Sequence, residues 1–339
     1  DSLHKENALE NILKRTRQRS LGYSRILKYA AVLLLPLLLG GTLFYVLTFK
    51  RQAGEVLPVS EPKQILPGGP KAILYLSDGQ VIDLNRIVDS VIVDKHSGQE
   101  IALSKDINEL NYSGVTRDIG QSKELAYNRI EVPRGGEYML VLSDGTKVWL
   151  NSETRLEYPL AFGEHSREVR LSGEAYFEVT KDEARCFNVI MEGATIEVMG
   201  TSFNASCYPG EGQCWAVLES GKINLRTDHG VAAVNVGECA SYDIASGKVT
   251  VETVDLKYFT SWRYGTFYFY NTPLSEIVQK LGRWYDVHFK FADESLRDVC
   301  FSGAALRSKP IDFMLELLSS TQSLKFDIQS DGMIMIYKK

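Results

Sequence analysis

Residues 29–49, YAAVLLLPLLLGGTLFYVLTF, contain no charged side chain; Lys28 stands before them, and Lys50 and Arg51 close them. A helix rises about 1.5 Å per residue, so a run of this length crosses the ~30 Å hydrocarbon core of a bilayer. In lipid the backbone must satisfy its own hydrogen bonds, which leaves a helix as the form open to a single segment. A cleaved signal peptide would need a shorter apolar core and a small-residue cleavage site, which the close at Thr48, Phe49, Lys50 and Arg51 does not offer. The run is therefore expected to be a transmembrane helix from Tyr29 to Phe49, interrupted by Pro36 and weakened at Gly40 and Gly41. Lys14, Arg15, Arg17, Arg19, Arg25 and Lys28 outweigh the basic residues just after it, so the N-terminal side is expected in the cytoplasm and the bulk of the chain outside.

The remaining composition narrows the function. A net charge of −5 gives no electrostatic case for a nucleic-acid surface, and the basic flank already has a partner in anionic lipid. Five histidines and five cysteines lie scattered without CxxC spacing, so neither a metal site nor a cofactor is expected. Cys207 and Cys214 can close a short hairpin loop by a disulfide in an oxidising compartment; five free, mostly buried cysteines are the alternative.

In chain order, residues 1–28 read as a basic juxtamembrane helix, 29–49 as the anchor and 50–66 as a Pro- and Gly-bearing linker. From 67 to 255 short alternating strands are punctuated by turns. PGGPKAILYLSDGQVIDLN (67–85) recurs as PRGGEYMLVLSDGTKVWLN (133–151), each copy two alternating runs joined by Ser-Asp-Gly, a strong hairpin signal. The region is expected to be all-β, a sandwich or a solenoid-like stack. Residues 262–339 change pattern to a small α+β domain. It has a strand at 266–270, a helix after Pro273, a strand at 287–291, a helix at 310–320 and a closing hairpin of 324–328 with 333–337.

At REVRLSGEAYFEV (167–179), CFNVIMEGATIEVMGTSFNASCY (186–208) and VLESGKINL (217–225) the chain resembles FecR-type anti-sigma factors, in wording closest to the Bacteroidetes branch. SWRYGTFYFYNTPLSEIVQKLGRWYDVHFKF (261–291) is similar to the C-terminal domain of that branch, itself similar to the short N-terminal domain of secretins and TonB-dependent receptors. The resemblance implies a single-pass inner-membrane regulator. It would relay a signal from the periplasmic domain of an outer-membrane TonB-dependent, SusC-like transducer of polysaccharide utilisation to a cytoplasmic ECF sigma factor. The sigma-binding domain is expected before Asp1, with 1–28 as its exit segment. Signalling in such proteins ends in proteolysis within the anchor, which Pro36, Gly40 and Gly41 would favour by local unwinding.

Two sets of residues are candidate sites. Tyr268, Trp284 and Tyr285 are candidates for docking the transducer, by strand addition to a sheet edge, although each ring can instead pack the domain core. Gly200-Thr201, in VMGTSFN (198–204), matches the stretch where some relatives cleave their own chain by attack of the threonine hydroxyl on the preceding carbonyl. His165 and Glu197 are the candidate bases, and a tight turn is the alternative reading. No Ser, His and Asp pair persuasively, so the chain is not expected to be an enzyme otherwise. Tyr and Trp abundance also admits a second function, a membrane-anchored periplasmic carbohydrate-binding module using rings as stacking platforms.

Overall fold

The computed structural model describes residues 40, 43–45, 64–86, 90–93, 100–104, 108–115 and 126–339. The chain divides into two compact units, 1–63 and 64–339, and the second holds nearly all of the described residues. Of the expected span only Gly40 and residues 43–45 are described, as helix; Tyr29, Pro36, Gly41 and Phe49 lie outside the described residues. No helix among the described residues is long and apolar enough to cross a membrane.

The β-rich region is a two-layered sandwich through which the chain winds. One sheet runs laterally Val81–Asp83, Ile73–Tyr75, Tyr127–Val132, Thr154–Pro159, the first half of Ser166–Glu178, Cys186–Met191, Ala194–Val198, Ile223–Thr227 and Gly230–Val234. The other runs Ser90–Val93, Glu100–Ser104, Glu109–Asn111, Gly136–Val141, Lys147–Leu150, the second half of Ser166–Glu178, Ser202–Cys207, Gln213–Ser220, Glu238–Asp243 and Val249–Thr253. From residue 186 on, successive hairpins alternate between the layers, so sandwich and solenoid-like stack describe the same object. Period-two alternation turns every second side chain inward, as in the Ala194–Val198 strand with Ala194, Ile196 and Val198 buried. The inward residues of both sheets merge into a single core that includes Leu74, Leu140, Phe177, Phe187 and Phe203.

The strand Ser166–Glu178 belongs to both layers. Its first part pairs with Arg155 to Glu157 and with Cys186 to Ile190; from Gly173 onward it pairs with Ser202 to Cys207 and Lys147 to Leu150. Gly173 sits at the crossing with φ 117°, and a Cβ there would come within 2.5 Å of Thr154 Oγ1. Only glycine accepts both the dihedral and the approach. Near the start of this strand Arg167 is fully buried. Its guanidinium donates to Asp144 Oδ2 at 2.8 Å, Thr180 O at 2.8 Å and Arg185 O at 2.9 Å, so the buried charge is paired and its donors are used.

The internal repeat is a structural repeat. In both copies the Ser-Asp-Gly turn is closed by the same bonds: Leu76 N to Gln80 O and Leu142 N to Thr146 O, each 2.9 Å. Asp78 accepts from Gln80 N and Asp144 from Thr146 N, again at 2.9 Å. The copies nonetheless sit in opposite sheets.

The C-terminal region has its own core around Phe267, Leu274, Leu281, Trp284, Met314 and Ile336. A short helix α1 (Leu256–Thr260), capped by Asp255, leads into it through a 3-10 turn, Ser261–Tyr264. Helix α2 (Leu274–Tyr285) buries Leu274, Ile277, Val278 and Leu281, and helix α3 (Ile311–Thr321) buries Ile311, Met314, Leu315 and Leu318, the faces expected from their spacing. Strand His288–Phe291 and the hairpin of Leu324–Ile328 with Met333–Lys338 form one small sheet.

Two expectations are corrected. An additional strand, Cys300–Leu306, pairs with Thr266–Pro273; its run CFSGAAL lacks alternation and leaves Ser302, Gly303 and Ala304 exposed. The linker expected over 50–66 ends sooner. Gln64 to Leu66 belong to the folded unit, with Ile65 packed on the C-terminal core and its carbonyl accepting from Ile311 N at 3.2 Å.

Candidate functional site

The two domains meet in a polar junction, and the glycine pairs of the repeat build one side of it. Gly135 N donates to Arg283 O, the last turn of α2, at 2.7 Å, while Gly69 N donates to Gly135 O at 3.1 Å. Gly68 lies so close to α2 that a Cβ would stand 2.7 Å from Trp284 O. Both copies of the repeat thus begin against the helix of the other domain.

Three arginines hold the junction. Arg134 pairs with Glu153 at 3.0 Å and Asp286 at 3.3 Å, and donates to Val287 O at 2.9 Å. Arg283 stacks 3.7 Å over the Tyr208 ring and pairs with Glu211 and, at 3.5 Å, Glu153. Arg307 is the most enclosed, at 2% exposure. It donates to Trp262 O at 2.9 Å and Asn151 Oδ1 at 3.1 Å, lies 3.6 Å from Glu137, and stacks 3.7 Å over Trp284. Desolvation pulls its pKa below the ordinary arginine value against the pull of Glu137 and Glu174. The carboxyl of Glu137 moves up, chiefly by burial, with Arg307 opposing. Below the junction, Arg263 pairs with Glu178 at 2.7 Å and covers the Tyr176 ring at 3.8 Å.

Cys207 and Cys214 are joined by a disulfide, their Cα atoms 4.3 Å apart. Ser206 faces Trp215 across the strand pair, which puts the two cysteines next in register and directly opposite. The loop they close carries Tyr208 and Glu211, the residues that grip Arg283. Spacing leaves this pairing open against five free cysteines; the structure forms it, and what the loop touches is not legible in the sequence.

Trp284 and Tyr285 are corrected as docking candidates. Each is 4% exposed, and each donates inward, Trp284 Nε1 to Arg307 O at 2.9 Å and Tyr285 OH to Lys309 O at 2.7 Å. Tyr268 is half-buried. The same packing removes both rings as platforms for sugar stacking. The outward aromatic of that strand is Tyr270, 71% exposed.

Thr201 is buried, and its hydroxyl donates to Lys222 O at 3.1 Å, which turns it to a carbonyl other than that of Gly200. Glu197 is committed to Arg226 at 2.5 Å, and His165 is exposed in a loop. Met199 O accepts from Asp182 N and Thr201 O from Val179 N, so the segment serves as a packed connection between strands. No activating base for Thr201 is found among these contacts.

Similarity to known proteins tracks the two-domain architecture. The family described as "FecR protein" matches residues 128–224, and "FecR, C-terminal" matches 266–335. Two crystal structures of a candidate anti-sigma factor from Parabacteroides distasonis, at 1.65 and 2.50 Å resolution, are similar. They are 26% and 27% identical, with a TM-score of 0.58 each, covering 62% and 63% of this chain and 99% of theirs. No curated protein matches. With both domain patterns in order on one compact unit and a solved fold of the same class, the chain belongs to the FecR-type anti-sigma factors.

Proposed function

We propose that the chain is the membrane-anchored, periplasmic half of a sigma regulator. It relays a signal from an outer-membrane TonB-dependent transducer of polysaccharide uptake to a cytoplasmic ECF sigma factor. The observation that carries this reading is the order of the two family matches along a single folded unit, downstream of the apolar run 29–49. The Cys207–Cys214 disulfide supports an oxidising compartment for residues 50–339, hence a cytoplasmic N-terminus. Transducer docking belongs to the C-terminal domain, at either of two exposed places. The Leu324–Ile328 strand pairs on one side only among the described residues and leaves Ile328 41% exposed, and on the separate Thr266–Pro273 ladder Tyr270 is 71% exposed. The arginine-held junction supports transmission, because a load applied to the C-terminal domain reaches the β sandwich through direct bonds rather than a slack linker.

The test is induction of a sigma-dependent reporter in the native cell by the inducing glycan. Tyr270→Asp with Ile328→Asp should abolish induction while the protein remains at wild-type level. Unchanged induction, together with tight oligosaccharide binding by the purified chain, would replace the relay by the carbohydrate-binding module.

A further inference from the structure

The folded unit begins at Gln64, and its first attachment is to the C-terminal domain rather than to the sandwich that follows in sequence. Ile65 packs on the C-terminal core, and its carbonyl accepts from Ile311 N, the first amide of α3, at 3.2 Å. Pro310 stands at the cap position of α3 and no side chain caps the helix, so Ile65 takes an amide that the helix itself leaves free. Three residues on, Gly68 lies between the domains. A Cβ there would stand 2.7 Å from Trp284 O, 2.8 Å from Trp284 Cε3 and 2.9 Å from Gly135 O. Only then does the chain join the sandwich. Gly69 N donates to Gly135 O at 3.1 Å and Lys71 N to Glu137 O at 3.3 Å, with Gly69 and Pro70 beside Gly136 and Glu137.

The sandwich by itself holds this segment weakly. The pairing there is two residues long, Leu66 is 64% exposed, and the partly buried Ile65 faces the C-terminal core. Gly135 joins both attachments, because its carbonyl takes Gly69 N while its amide donates to Arg283 O at 2.7 Å. Opening the junction therefore removes Ile311, the Trp284 wall and the fixed position of Gly135 together. A two-residue bridge is too short to keep an extended segment in place.

We infer that residues 64–70 are a release strap, seated while the C-terminal domain is docked on the sandwich and freed when it undocks. Release adds these residues, about 24 Å of extended chain, to the segment that follows the apolar run 29–49. A change at the C-terminal domain then reaches the chain leading to that run without passing through the strands of the sandwich. This last step rests on the reading of 29–49 as the anchor of a relay; the coupling of strap and junction does not. Coupling is reciprocal, so loosening the strap loosens the junction to the same degree.

The purified full chain tests both directions. Thermolysin cuts before large aliphatic residues, and cleavage of the Gln64–Ile65 bond requires the strap to leave α3. Arg307→Leu, and Asn151→Ala from the sandwich side, break a junction bond made by neither end of the strap, and each should speed that cleavage on the order of tenfold. Conversely, Ile65→Asp should speed hydrogen exchange of the Gly135 amide by a similar factor and leave the Cys186–Met191 strand protected. If Ile65→Asp does not fold, Ile65→Ala gives the same readout with a smaller change. Unchanged cleavage in both junction variants, unchanged exchange at Gly135, or an equal rise throughout the sandwich would overturn the strap. Failure of 29–49 to insert into membranes would refute the anchor and leave these rates as they are.

Discussion

Replacing Arg307 by leucine removes the most enclosed charge in the junction. The guanidinium gives up two bonds, to Trp262 O at 2.9 Å and Asn151 Oδ1 at 3.1 Å. Each buried acceptor left without its donor costs about 1–3 kcal/mol. The Glu137 pair adds little, since its atoms are 3.6 Å apart and Glu137 is 42% exposed; a screened pair of this kind contributes about 0–1 kcal/mol. Relief of the desolvation that burial imposes on Arg307 works the other way, and leucine keeps some packing on Trp284. The net expectation is a loss of about 3 kcal/mol, or a fall in midpoint of roughly 5 °C for the unit 64–339. Thermal and urea unfolding followed by tryptophan fluorescence would measure it, and the variant should show the C-terminal domain melting ahead of the sandwich. Arg307→Lys retains charge without the planar fork and should fall between the two. A loss under about 1 kcal/mol with one cooperative transition would refute the claim that this guanidinium holds the domains together. So would strict additivity with Asn151→Ala in a double-mutant cycle.

Other outcomes are checked as readily. Thiol titration of the unfolded, unreduced chain should find three free groups of the five cysteines, Cys186, Cys239 and Cys300; in the folded chain Cys239 should resist alkylation at pH 8, since burial pushes its pKa up to about 11. Gly68→Ala puts a methyl about 2.7 Å from Trp284 O and should cost about 1–3 kcal/mol in urea unfolding, whereas Gly79→Ala, where nothing lies within 4 Å, should show only the milder strain of its positive φ. The Asp182 carboxyl is held below its ordinary pKa, first by the bond from Arg185 and then by the amide of Ala184. Its contribution is therefore present above the unfolded value of 3.8 and lost as pH falls through the lower folded one; Asp182→Asn should lower stability most at neutral pH, and its difference from the unaltered chain should vanish as pH falls through that window. Purified chain incubated at neutral pH should stay a single band, because the Thr201 hydroxyl is engaged with Lys222 O; two associated fragments, lost in Thr201→Ala, would reverse that reading.

Elements fixed by short-range chemistry were legible in advance. Ser-Asp-Gly set both repeat turns, since an aspartate accepting from the amide two residues on and a glycine at positive φ close the same loop wherever it sits. Helices α2 and α3 were readable because apolar residues at three- and four-residue spacing define one face. Strand Cys300–Leu306 was not, because glycine and alanine there carry no alternation and its pairing with Thr266–Pro273 supplies what local pattern lacks.

The sequence by itself determined the turns, the period of each segment and the two family patterns, all of which depend on neighbours a few residues away. Tertiary structure alone decided the rest. Periodicity says which face of α2 is apolar but not what covers its end. Trp284 and Tyr285 could be a docking surface or a core until Arg307 and Lys309 supplied their acceptors. The bonds that make the junction join residues 153 and 156 positions apart, Arg134 to Val287 and Arg307 to Asn151. Such pairs leave no periodic trace, because their geometry exists only once both domains have folded and been brought together.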